Sequence, residues 1–102
     1  MSNYETIKAT EVVTPKDAWD SLPDLVAVGD FDGLAAIGML ASARIRAGDS
    51  VERWSTVQDA ITISAALLAM DLSDSSSGAL REILLIGLSS VIRRWGLING
   101  AS

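Results

Sequence analysis

The feature that most constrains the fold is a pair of long apolar segments, residues 51–72 and 78–95, separated by the polar break at residues 73–77. Apolar residues recur in each segment every three or four positions, the spacing that places side chains on one face of an α-helix. The first segment carries a second apolar stripe on another side. A helix that is apolar on two sides packs between two layers. We therefore predict two consecutive long helices, the first with more apolar surface than one core contact uses.

A short helix is predicted near the start of the chain. Thr14 is a residue type preferred at the N-cap, and Pro15 suits the first helical position because its nitrogen has no hydrogen to donate there. Pro23 disfavours helical geometry at the residue before it. This helix is therefore expected to end by Leu22.

Glycines and a capping aspartate bound the other helices. Asp30 is a candidate N-cap, and Gly48 follows a run rich in small residues, so a second helix is expected from Asp30 to Ala47. The last helix is expected over residues 77–95, with Gly96 as its stop.

These elements predict an all-α fold, a small bundle of about four helices, one short and three longer, with an extended N-terminal arm. Residues 1–13 lack a clean helical period and are expected to form a flexible or extended arm, or one that pairs with a partner's strand. Residues 14–96 are expected to form the helical domain, and residues 97–102 a loose C-terminal tail.

Composition excludes several function classes. With 13 acidic and 8 basic residues, the chain has a formal net charge of −5 and gains little from counterion release, so nucleic acid is not an expected partner. The chain has no cysteine and no histidine, which excludes thiolate nucleophiles and the serine–histidine–aspartate triad. The longest charge-free apolar stretches reach about half of the ~20 residues that span a membrane. We expect a cytoplasmic protein without a cofactor.

Two acidic loops raise the alternative of a metal-binding domain. Asp30 and Asp32 lie two residues apart, and Asp71 begins a loop whose twelfth position is Glu82, as in a calcium loop. The sixth position of that loop is Ser76 instead of the required glycine. Helix capping and turn formation explain the same residue types. We therefore assign no metal-binding and no catalytic residues.

Two basic clusters close predicted helices. Arg44 and Arg46 end the second helix, and Arg93 and Arg94 precede Trp95 at the end of the last one. Positive charge at a helix C-terminus is favoured by the helix dipole. Arginine beside tryptophan is also typical of the residues that anchor protein interfaces.

The absence of chemistry and the excess of apolar surface together favour a non-enzymatic protein–protein interaction or assembly subunit. We expect a homo-oligomer formed through the third and fourth helices, because exposed aliphatic side chains favour association. A second hypothesis is a small acidic inhibitor or adaptor that binds another protein's surface. The candidate interface residues are Ile63, Leu67, Met70, Ile86, Arg93 and Trp95.

Overall fold

A computed structural model describes residues 14–73 and 78–99. Helix α1 spans Pro15–Val28, α2 spans Phe31–Arg46, α3 spans Val51–Ser73 and α4 spans Gly78–Ile98. Within the described ranges these four helices are the only regular elements, which confirms the prediction of an all-α bundle. The expectations for residues 1–13 and for residues 100–102 lie outside the described residues.

Helix α3 is central, since α1, α2 and α4 all pack against it. Its buried residues lie between Trp54 and Ser64, where α1 and α2 cover it. Helix α4 contributes a single buried residue, Val91. The core therefore lies between α1, α2 and the first half of α3. Its members are Ala18, Leu22, Leu25, Leu34, Ile37, Ala41, Trp54, Val57, Ala60, Ile61 and Val91.

The predicted end of α1 at Leu22 is wrong, because the helix continues through Pro23 to Val28. Pro23 lacks the N–H that would reach the Trp19 carbonyl, at a cost of about 3 kcal/mol in a helix interior. Continuation buries Leu25 and packs Val26 against the core, which stabilises by about 1.5–3 kcal/mol for each fully buried side chain. Tertiary burial therefore offsets the local preference for a break.

Two glycines with positive φ end the first two helices. Gly29 has φ 68°, and the N–H groups of Gly29 and Asp30 donate to the carbonyls of Val26 (3.1 Å) and Leu25 (2.9 Å). Gly48, with φ 78°, follows α2 in the same way. These are the two hydrogen bonds of a Schellman motif, which favours glycine because it has no Cβ. The second helix thus ends within one residue of its predicted limit.

The predicted stop at Gly96 is wrong, because α4 runs on to Ile98. Asn99 ends it, donating from its backbone N–H (3.0 Å) and its Nδ2 (2.8 Å) to the Trp95 carbonyl. The Nε of Arg53 on α3 donates to Asn99 Oδ1 at 3.0 Å. This contact between helices fixes the final turn, so residues 97 and 98 belong to the helix and not to a loose tail.

Candidate functional site

Most of the large apolar side chains that are exposed in the described part of the chain lie on α4. Ile83, Ile86 and Leu97 keep 64%, 68% and 68% of their surface exposed. Leu80, Leu85 and Ile92 are exposed as well. Among the helices that the structure describes, α4 packs along α3, and the stacking of Trp95 on Trp19 joins it to α1. A helix covered on one side leaves its other apolar side chains in water, and such a patch marks an interaction surface.

The exposed residues of α4 include one regular stripe, which we call the outer stripe. Its members are separated by four and three residues in alternation, the spacing of a coiled-coil seam. All of them are exposed: Ala79, Ile83, Ile86, Ser90, Arg93 and Leu97. Leu84, Leu88, Val91 and Trp95 lie on the other side of the helix and are buried or half-buried. The two faces of α4 are therefore both largely apolar, and only one of them has a partner among residues 14–73 and 78–99.

Two of the predicted interface residues make internal contacts. Trp95 stacks on Trp19 of α1, with ring centroids 4.5 Å apart and planes inclined by 4°. Ile63 is half-buried against the core, and a Cβ placed on Gly87 would lie 3.4 Å from its Cδ1. These two side chains therefore help to hold α4 against the rest of the bundle.

The remaining predicted interface residues divide between two helices. Ile86 and Arg93 share the outer stripe of α4, whereas Leu67 and Met70 are half-buried on α3. The excess of apolar surface was expected on α3, and the structure instead exposes Ile83 and Leu97 of α4. The alternating spacing from Ile83 to Leu97 is visible in the sequence and could have identified this face.

Charged residues near α4 have distinct environments. Arg94 donates to the Asp59 carboxylate and, from its Nε, to the buried Thr56 hydroxyl at 3.3 Å. Arg93 and Arg94 were predicted to lie in the last turn of α4. That prediction is wrong, because the helix continues past them to Ile98. Glu82 and Arg93 are exposed, and neither forms an ion pair with any residue the structure describes. They are the charges of α4 that remain available to a partner.

The other basic cluster lies where it was predicted. Arg44 and Arg46 are in the last turn of α2, and Arg44 also pairs with Asp49 at 3.4 Å. On α1, the Lys16 ammonium donates to Asp20 at 2.7 Å, and this hydrogen bond raises the pKa of Lys16. Both pairs are exposed, and exposed ion pairs contribute little to stability.

Asp30 serves as a helix cap. Its Oδ1 accepts the Gly33 N–H at 2.8 Å, as the capping interpretation predicts. Residues 14–70 and 78–99 contain no group of three acidic, histidine or cysteine side chains placed to hold a metal ion. The loop that begins at Asp71 falls outside the described side chains. The described helices include none that is long and apolar enough to span a bilayer.

A second surface feature is an open groove between α2 and α3. Ala35, Gly38, Met39 and Ser42 line it from α2, with Ile61 on α3 at its base. Met39 is 74% exposed, more than the aliphatic side chains Ile83, Ile86 and Leu97 of the outer stripe. It is an isolated apolar side chain among small and polar neighbours, so it provides a reference for the exposed isoleucines of α4.

Comparison with known proteins adds no functional assignment. No protein-family model, no curated protein and no solved structure matches this chain.

Proposed function

We propose that this protein is a non-enzymatic protein–protein interaction subunit that self-associates through its last two helices. The observation that carries the proposal is the row of exposed aliphatic side chains on α4, beside residues 65–70 of α3, none of which is fully buried. An interaction subunit needs no cofactor, and the chain's lack of cysteine suits a reducing, cytoplasmic location.

The energetic support comes from two neighbouring isoleucines. Ile83 and Ile86 keep 64% and 68% of their surface exposed, and full burial of one aliphatic side chain is worth about 1.5–3 kcal/mol. Covering what remains exposed on this pair therefore gains roughly 2–4 kcal/mol for each copy. In a symmetric dimer both copies gain this amount, because the same patch is buried twice.

The experiment is sedimentation velocity of the full chain over about 1–100 µM, a range that covers weak to moderate dimers. We expect the average mass to rise with concentration. The double substitution Ile83→Gln/Ile86→Gln should raise the Kd of the dimer more than about a hundredfold, since glutamine keeps the helix and removes the apolar surface.

Met39→Gln is the matched control, because it makes the same kind of change at an exposed position on another helix. It should leave the mass distribution unchanged, and circular dichroism should show all variants equally helical. A wild-type chain that stays monomeric throughout this range would contradict the proposal and favour an acidic adaptor with a foreign partner.

A further inference from the structure

We propose that the outer stripe of α4 pairs with the outer stripe of a second copy. The two helices run antiparallel and are related by a two-fold axis at the level of residue 88 along α4. In this arrangement Glu82 of each copy lies against Arg93 of the other. The inference rests on the proposed self-association and adds its partner surface, its direction and its register.

The spacing of the outer stripe is symmetric. Its six positions follow one another at intervals of four, three, four, three and four residues, which reads the same in both directions. Leu88 is the midpoint of three pairs within it: Ala79 with Leu97, Ile83 with Arg93, and Ile86 with Ser90. A two-fold axis at this level therefore places every stripe position of one copy opposite a stripe position of the other, as an isologous interface requires.

The residues paired by this axis fit one another in size. Leu97 faces Ala79 of the second copy, and Ile86 faces Ser90, so each of these large side chains meets a small one. Ile83 meets the aliphatic stem of Arg93, whose charged end can reach the edge of the contact. Ser89 flanks the axis, and its small side chain lets the two backbones approach closely.

Charge complementarity sets the direction. At ~100° per residue, Glu82 and Arg93 project within about 20° of each other, on the same flank of α4. They are about 16 Å apart along the helix, too far to pair within one copy. The antiparallel arrangement brings Glu82 of one copy level with Arg93 of the other, to within about one residue. In a parallel dimer this flank of one helix lies on the opposite side of the contact from the same flank of the other, so Glu82 and Arg93 would gain no such pairing.

Arg94, the residue next to Arg93, does not compete with it for Glu82. Arg94 is held by Asp59 and Thr56 of its own chain. Glu82 and Arg93 have no ionic partner among the described residues, and both are exposed. Pairing in the antiparallel dimer satisfies both charges, whereas a parallel dimer would leave both without a partner.

Charge reversal in the full chain tests the register, with sedimentation equilibrium as the measurement. Glu82→Arg and Arg93→Glu should each raise the Kd of the dimer about tenfold or more, because each creates two like-charge contacts. The double variant restores two opposite-charge pairs and should return within about threefold of the wild-type Kd. Glu52→Arg and Arg46→Glu make the same charge changes at exposed positions on α3 and α2, and should have little effect.

Three results would be decisive. Rescue in the double variant supports the antiparallel register. If the two charge reversals weaken the dimer additively without rescue, while Ile83→Gln/Ile86→Gln still abolishes it, the register is wrong and the proposed function stands. A wild-type monomer at all concentrations would overturn both.

Single cysteines give an independent test, since the natural chain has none and any disulfide must join two copies. Ser89→Cys lies near the axis and should form a disulfide-linked dimer under mild oxidation. Ala79→Cys lies far from its own copy in the antiparallel dimer, by about 27 Å along the helix, but beside it in a parallel dimer. Crosslinking at position 79 in preference to position 89 would refute the antiparallel arrangement.

Discussion

The stacking of Trp95 on Trp19 gives a prediction that separates a residue of the fold from a residue of the interface. The two rings lie parallel with centroids 4.5 Å apart, and this contact joins α4 to α1. Full burial of a tryptophan makes its truncation to alanine cost about 3–5 kcal/mol. Trp95 is half-buried, so Trp95→Ala should lower the free energy of unfolding by about 1.5–2.5 kcal/mol.

The coupling between the rings is measurable with a double-mutant cycle of Trp19→Ala, Trp95→Ala and both together. Aromatic pairs in contact contribute about 0.5–1.5 kcal/mol beyond the area that they bury. The loss of unfolding free energy in the double variant should therefore be smaller than the sum of the two single losses by that amount. Urea titration followed by far-UV circular dichroism is the appropriate assay, because the fluorescence itself changes with each substitution.

With an m-value of about 1 kcal/mol/M for a chain of this size, Trp95→Ala should move the urea midpoint down by about 1.5–2.5 M. The dimer Kd of the folded variant should stay close to that of the wild type, since Trp95 faces the chain's own α1. Strictly additive losses would refute the stacked contact. An unchanged midpoint with a weakened dimer would assign Trp95 to the interface instead.

Three substitutions test local features of the helices by urea unfolding. Pro23→Ala should raise the free energy of unfolding by about 1–2 kcal/mol, because it restores the donor to the Trp19 carbonyl and some of the gain is lost to a freer unfolded chain; a loss of stability would contradict a continuous α1. Asp30→Ala should cost about 1 kcal/mol and Asp30→Asn almost nothing, since asparagine also caps helices; equal losses would argue against capping. Gly48→Ala should cost about 1 kcal/mol at φ 78°, and a neutral result would contradict the left-handed turn.

Several features of the fold could be predicted from local sequence. Thr14 and Asp30 are strong capping residues, and in the structure each accepts the backbone N–H of the residue three positions on. Gly48 marks the end of α2 because glycine adopts positive φ at low cost. These signals act over one turn of helix, so a single sequence is enough to find them.

The helix ends at Pro23 and Gly96 could not be predicted, because distant contacts decide them. Burial of Leu25 carries α1 past its proline, and the Arg53–Asn99 hydrogen bond extends α4 past its glycine. Neither contact is visible in a window of neighbouring residues, since each depends on which helices become adjacent.

The candidate surface shows the same division. Ile86 and Arg93 were identified from the sequence, whereas Ile63 and Trp95 proved to be internal contacts of the bundle. An apolar side chain has the same helical spacing whether its neighbours or water cover it. Periodicity alone therefore cannot separate an interface from a core.

The sequence by itself determined that this protein is a bundle of helices, where most of them begin, and that α3 and α4 are richer in apolar side chains than a small core requires. The tertiary structure decided which of those side chains remain exposed. Helices α1 and α2 both pack on the first half of α3, so the described residues cover α4 on one side only. Its outer stripe keeps its isoleucines in water for that reason, and the stripe's symmetric spacing is what makes a second copy the expected partner.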